Sequence, residues 1–253
     1  MSRVARVLEI LHATHKFACL RLQSVVTSLA MGEIINSSAH VDRIAEHVVQ
    51  AYQKGVARGG DTADACKSRL ETSVSAVELA KTANDAAHKA ENASWGIVLA
   101  MDTNADITIG STRDEMWNAL GRPRQSPQMD EVFAGGVRIY TSGDPRNQPV
   151  LMHLLHARIL AASAPQWPEQ KRIAWAASIE AVRAPYESAV NDHRPIEAAA
   201  MVTEAAYRAA VRTAHARLKS LKRDLKSLGL TESQIHEIIP DASSGSSPTP
   251  SKE

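Results

Sequence analysis

Aromatic side chains are scarce in this chain: its 253 residues hold two phenylalanines, Phe17 and Phe133, four tryptophans and four tyrosines. A sandwich or barrel draws its core from β-branched and aromatic strand residues, so this scarcity weighs against an all-β fold. Cysteine is rarer still. Cys19 and Cys66 both fall inside helical patterns, and two isolated thiols without metal-type spacing argue against a disulfide-stapled scaffold and suit a reducing compartment. No window approaches the about eighteen consecutive apolar residues of a transmembrane helix, and the N-terminal segment has Arg, His and Lys scattered through it in place of an apolar signal-peptide core. The chain is therefore expected to be soluble and cytoplasmic, with no membrane partner. A net charge of +1 argues against wholesale polyanion binding, although local clusters still count.

Chemical motifs are missing as well. There is no Gly-x-Gly-x-x-Gly, Walker loop, His-Glu-x-x-His or Gly-x-Ser-x-Gly, so no reaction class and no cofactor is implied. The chain is expected not to be an enzyme.

What is present is alanine and helical spacing. Alanine costs least to place in a helix and lets helices approach closely, which points to an all-α fold. From Pro195 to Gly229 the pattern is unbroken, with Tyr207, Val211, Ala214, Leu218, Leu221, Leu225 and Leu228 alternately four and three apart. Such a seam must be buried against other helices and is expected to be an interaction seam of coiled-coil type. From Tyr207 to Leu228, seven basic residues (Arg208, Arg212, Arg217, Lys219, Lys222, Arg223 and Lys226) share the stretch with one acid, Asp224.

Elsewhere the apolar spacing predicts an amphipathic helix over residues 3–31, ended by Gly32 and paired in a hairpin with a second helix carrying Val41, Ile44 and Val48, capped by Ser37 or Ser38. After Gly59-Gly60 an alanine-rich helix runs through Cys66, Leu70, Val74 and Val77 towards Trp95. From Asp102 to Asp144 Gly, Pro, Thr and Asp become frequent, and only Ser111 to Leu120 reads as a short helix. Ile107–Ile109 and Val137–Thr141 alternate like strands and suggest a small β-hairpin. Helices resume at Val150–Ala162 and after Pro168, with Pro185 expected to kink or divide the second and His193-Arg194-Pro195 to turn a corner. Thr231 caps a last short helix. The expected architecture is one elongated antiparallel helical bundle over residues 1–240, a loop-rich insertion at about 102–148, and a disordered Ser/Pro-rich tail at 241–253.

Three constellations carry possible chemistry. Asp102, Asn104 and Asp106 have the alternating-oxygen opening of a calcium loop, but Ile107 stands where the sharp turn wants glycine and Arg113 where a closing carboxylate belongs. Glu9 with His12, and Asp85 with His88, have the spacing of di-iron ligands, yet Glu9 lies away from the apolar stripe while His15 points inward. His153 and His156 share a helix face and fall short of a four-ligand zinc site.

The leading expectation is a non-enzymatic structural or protein-interaction protein that self-associates or binds a protein partner. One alternative is a nucleic-acid-associated helical protein using Arg212, Arg217, Lys219, Lys222, Arg223 and Lys226, although these charges read as spread around the helix and lack aromatic neighbours for base stacking. The other is a ligand or metal sensor, or an enzyme, with its site in the 102–141 region around Asp102, Trp117 and Tyr140.

Overall fold

The computed structural model describes residues 34–239. The helix expected at 3–31, with Glu9, His12, His15 and Cys19, and the tail at 241–253 lie outside the described residues. Among the described residues seven helices follow one another: α1 (Val41–Arg58), α2 (Gly60–Ala119), α3 (Pro127–Val132), α4 (Arg138–Thr141), α5 (Gln148–Ala161), α6 (Glu169–Ser227) and α7 (Glu232–Ile238), with one 3-10 turn at Pro145–Asn147. The described fold is all-α, without a strand, and none of its helices is long and apolar enough to cross a membrane. The described residues divide into two compact units, one of residues 34–82 and 205–239, the other of residues 83–204. The two longest helices contribute a part to each.

In the first unit, α1 buries Ile44, Val48 and Ala51 against Cys66, Leu70, Val74 and Val77 of α2 and against Tyr207, Val211, Ala214, Leu218, Leu221 and Leu225 of α6. Both serine caps expected for α1 are displaced: the helix starts after His40, with no side chain capping it, while the Ser38 N–H donates to Asn36 Oδ1 at 3.1 Å. Helix α7 closes the core with Ile235 and Ile238. Its start is a capping box in which Thr231 and Gln234 satisfy each other's backbone N–H groups.

The seam is buried from Tyr207 to Leu225 but stops there, since Leu228 is 44% exposed. Helix α6 ends at Ser227, and Gly229 takes φ +84°. The Gly229 N–H donates to Lys226 O and the Leu230 N–H to Leu225 O, the paired bonds of a Schellman stop. That turn swings Leu228 outward and folds Leu230 onto the core in its place. Glycine is required because a side chain at this φ meets its own backbone.

In the second unit, Trp167, Trp175, Ile179 and Tyr186 pack with Val98, Ala105, Ile109 and Met116 of α2 and with Met152, Leu155 and Ile159 of α5. The expected β-hairpin is not formed. Ile107–Ile109 lies inside α2, and Arg138–Thr141 is the helix α4. Alternation over three residues was a weaker signal than the longer register of Val98, Ala105, Ile109 and Met116, all fully buried. Gly96 and Gly110 together cost a helix roughly 2 kcal/mol, against roughly 1.5–3 kcal/mol for each large side chain buried, so packing prevails. Thr103 and Thr108 fit because their hydroxyls donate to Leu99 O and Asn104 O, four residues back. The irregular part therefore begins only at Leu120, where Gly121 at φ +79° stops α2 with the same pair of bonds.

Neither proline ends α6, which is continuous through Pro185 and Pro195. Each removes a backbone donor at a cost of about 3 kcal/mol. Both prolines are exposed, as are Ala181 and Asn191, whose carbonyls lose a partner. Water can satisfy those oxygens, while Ile179, Tyr186, Val190 and His193 hold the helix to its core from the other side.

Candidate functional site

The six residues Tyr207, Val211, Ala214, Leu218, Leu221 and Leu225 are each at most 2% exposed. From Tyr207 to Leu225 the seam expected to be an interaction seam is thus buried in the chain's own core, while its last member, Leu228, is exposed. The basic residues on the same helix are differently placed. At 100° per residue, Arg208, Arg212, Lys219, Arg223 and Lys226 fall within about 60° of one another, while Arg217 lies on the opposite side. They form one edge of α6 rather than the even spread around the helix expected from the sequence. Lys222 flanks that edge and, like Lys226, meets Glu232. Asp224 lies across the helix and pairs with Arg69 of α2.

Asp102, Asn104 and Asp106 do not form a calcium loop, because all three are helical residues of α2. One turn apart, Asp102 and Asp106 share a side, whereas Asn104 faces away and is exposed. The two carboxylates are tied to the 140–148 segment and to α6. Tyr186 donates its hydroxyl to Asp102 Oδ1 at 2.8 Å, with Pro145 O as a second acceptor at 2.7 Å, and Gln148 Nε2 donates to Asp106 Oδ1 at 3.3 Å and to Tyr140 O. Burial, with the neighbouring Asp102 charge, raises the Asp106 carboxyl above its ordinary value, and burial beside Asp102 pushes the Tyr186 phenol far up. This polar layer fixes the irregular segment to two helices. Tyr140 belongs to it, while Trp117 does not, so Asp102, Trp117 and Tyr140 are not gathered into one site.

A second polar cluster has no counterpart in any local sequence motif. His193, 2% exposed, stands between Ser94, whose Oγ is 2.8 Å from its Nδ1, and Glu197, 4.0 Å from its Nε2. Trp95 packs against the imidazole, and Arg146 stacks on Trp95 at 4.5 Å while donating to Glu197 Oε1. Serine, histidine and carboxylate invite comparison with a nucleophilic triad, and the proton arrangement opposes it. The Ser94 hydroxyl donates to Glu91 O at 3.0 Å, so it accepts from His193 rather than yielding its proton to it. Helical backbone around Ser94 has its N–H groups engaged, leaving no pair of donors for an oxyanion. The cluster is a polar tie between α2 and α6; Ser94 and His193 are 99 residues apart in sequence, beyond any spacing rule, while His193 and Glu197 are four apart on α6.

His153 and His156 stack at 6.4 Å on α5, and their positive field helps hold the Glu180 carboxyl low, after the larger effect of its hydrogen bond from Arg183. His88 pairs with Glu91 at 2.9 Å. Among the described residues no three His, Cys, Asp or Glu side chains converge to hold a metal ion. Cys66 is fully buried, and burial pushes its thiol up to about 11, which suits packing rather than nucleophilic attack.

Two concavities stand out. One of about 540 Å³ in the first unit is lined by Asp42, Glu46, Glu78, Lys81 and Tyr207, where Tyr207 donates to Asp42 Oδ1 at 2.7 Å. One of about 680 Å³ in the second is lined by Trp117, Met129 and Phe133 with Arg113, Arg124 and Arg138.

The outer face of α5 is unlike every other helix surface described so far. Its buried side is Met152, Leu155 and Ile159, yet the opposite side carries Val150, His153, Leu154, Ala157, Leu160 and Ala161, with no carboxylate and no Lys or Arg. Val150 is 69%, Leu154 43% and Leu160 41% exposed. Sequence spacing missed this face because a helix apolar on all sides has no preferred direction. No family model, no curated protein and no solved structure matches the chain.

Proposed function

We propose that this chain is a non-enzymatic helical interaction protein that self-associates, with the outer face of α5 as its contact surface. The observation that carries this reading is the uncharged apolar strip of Val150, Leu154, Ala157 and Ala161. A helix apolar on both sides is ordinarily covered on both. A charged partner finds nothing on the strip to pair with, whereas a second copy presents the same strip to itself, as a two-fold contact requires. The two alanines allow close approach of the helix backbones, and the four-three-four spacing is that of helices packed at a shallow angle. The antiparallel packing of helices as a bundle belongs to this reading, as the rigid support that keeps the strip in place.

The strip is small. Fourteen residues make a helix about 21 Å long, and one such contact falls below the roughly 1,200 Å² of a standard stable interface. Association is therefore expected to depend on concentration in the micromolar range or above. Light scattering on the full-length chain over a concentration series tests this, with Val150→Glu and Leu154→Glu as variants and circular dichroism as the check on folding. The expected result is a mass rising towards the dimer in the parent protein and staying at the monomer in both variants. A parent protein monomeric at the highest concentration, or a dimer indifferent to both glutamates, overturns the reading.

A further inference from the structure

The basic edge of α6 goes beyond self-association, and we infer that it binds the phosphate backbone of a double-stranded nucleic acid without sequence preference. Arg208, Arg212, Lys219, Arg223 and Lys226 span eighteen residue steps of continuous helix, a straight line of cations about 27 Å long. Between Tyr207 and Ser227 the acid of this helix is Asp224, and it stands on another side, bonded to Arg69. At the C-terminal end Glu232 of α7 engages Lys226 and Lys222. The middle of the edge is different. Arg212, Lys219 and Arg223 are exposed and make no ion pair among the described residues, so all three charges are available to a partner.

Three features choose among polyanions. Base stacking on single strands requires exposed aromatic rings, and the aromatic ring of this stretch, Tyr207, is 2% exposed. Insertion into a lipid surface requires an exposed apolar face beside the charges, and the apolar face of α6 is buried in the first unit's core. What remains is a rigid row of cations held at fixed spacing by the packed seam. A rigid duplex, with one phosphate charge per about 1.7 Å of axis, offers matching fixed charges and releases counterions on contact. A flexible acidic polypeptide would have to be ordered first, at an entropic cost.

The test uses the full-length chain and fluorescence anisotropy with a short DNA duplex, and an RNA duplex of the same sequence, across a salt series. The parent protein is expected to bind, with log K falling against log salt at a slope of about −3 to −4 for three or four neutralised phosphates. The triple variant Arg212→Gln, Lys219→Gln, Arg223→Gln is expected to lose about three from that slope and at least about 100-fold in affinity at 50 mM salt. Arg217→Gln removes a charge from the opposite side and is expected to leave binding unchanged. Binding to one duplex type alone identifies the source of the phosphates and supports the inference. It is overturned if neither duplex binds at low salt, if Arg217→Gln weakens binding as much as a change on the edge, or if phosphatidylserine vesicles or polyglutamate bind more tightly than both duplexes. Light scattering on the triple variant, whose α5 is untouched, separates failure here from failure of self-association.

Discussion

Replacing Gly55 with alanine sets one methyl group between α1 and α2, and opposing effects of comparable size decide the outcome. A Cβ at this buried position falls inside van der Waals contact of Cys66 Sγ and lies 3.1 Å from Cys66 Cβ and 3.3 Å from Ile238 Cγ2. Alanine gains about 1 kcal/mol over glycine in a helix interior. Overpacking costs about 1–3 kcal/mol, and the fully buried Cys66 has no solvent into which its sulfur can turn. With the cost at the upper end of that range, Gly55→Ala is expected to destabilise by about 2 kcal/mol net. Cys66→Ala alone leaves a void of methyl size and costs about 1 kcal/mol. Combined, the new methyl occupies the space the sulfur leaves, so the double variant is expected to be more stable than either single one, with a coupling of about 2 kcal/mol. Urea unfolding of the four proteins followed by far-ultraviolet circular dichroism gives all three numbers. If Gly55→Ala stabilises by about 1 kcal/mol equally in both backgrounds, the close approach of α1, α2 and α7 is wrong.

Other expectations concern polar groups. Tyr186→Phe removes the donor shared by Asp102 and Pro145 O and is expected to cost about 1–3 kcal/mol; all four tryptophans lie in residues 83–204, so their fluorescence reports the unfolding of that unit, and an unchanged transition refutes the polar layer. His215 donates from Nε2 to Ile35 O at 2.8 Å in the buried core of the first unit, and burial, with Lys219 and His47 nearby, holds its pKa below the ordinary histidine value while the bond to Ile35 opposes this. The unfolded chain then takes up a proton before the folded one, so this contribution to stability is complete above about pH 6.5 and is lost as pH falls through the lower folded value. The unfolding temperature of His215→Gln, which keeps a donor for Ile35 O, is expected to fall less between pH 7 and pH 5 than that of the parent protein; equal falls contradict the assignment.

Much of the helical framework was legible in spacing. Ile44 and Val48, the run from Cys66 to Val77, the face of Trp175, Ile179 and Tyr186, and the seam from Tyr207 all occupy core positions, because burial of one stripe is what a 3.6-residue period records. Thr231 was legible as a cap because its capping box is local. Spacing cannot say what covers a stripe, and the seam meets α1, α2 and α7 rather than a partner. The prolines misled because their effect depends on which face they occupy, and Pro185 and Pro195 face solvent. Residues 102–119 misled because Gly, Thr and Asp are loop-formers only when no core holds them, and Ala105, Ile109 and Met116 hold them here. The outer face of α5 lay hidden in uniform hydrophobicity, whereas the basic edge of α6 is recoverable from helical phase alone. The contact that joins Ser94 to His193 is tertiary and left no local trace.

The seam of α6 faces inward within a single chain, whereas the strip on α5 faces outward. Val211→Cys and Leu154→Cys, each in the full-length chain at a dilution where it is monomeric, can be exposed to maleimide and read site by site by mass spectrometry. Rapid modification is expected at position 154 and, at position 211, modification only in step with unfolding. Equally rapid modification of position 211 in the folded monomer would contradict this placement.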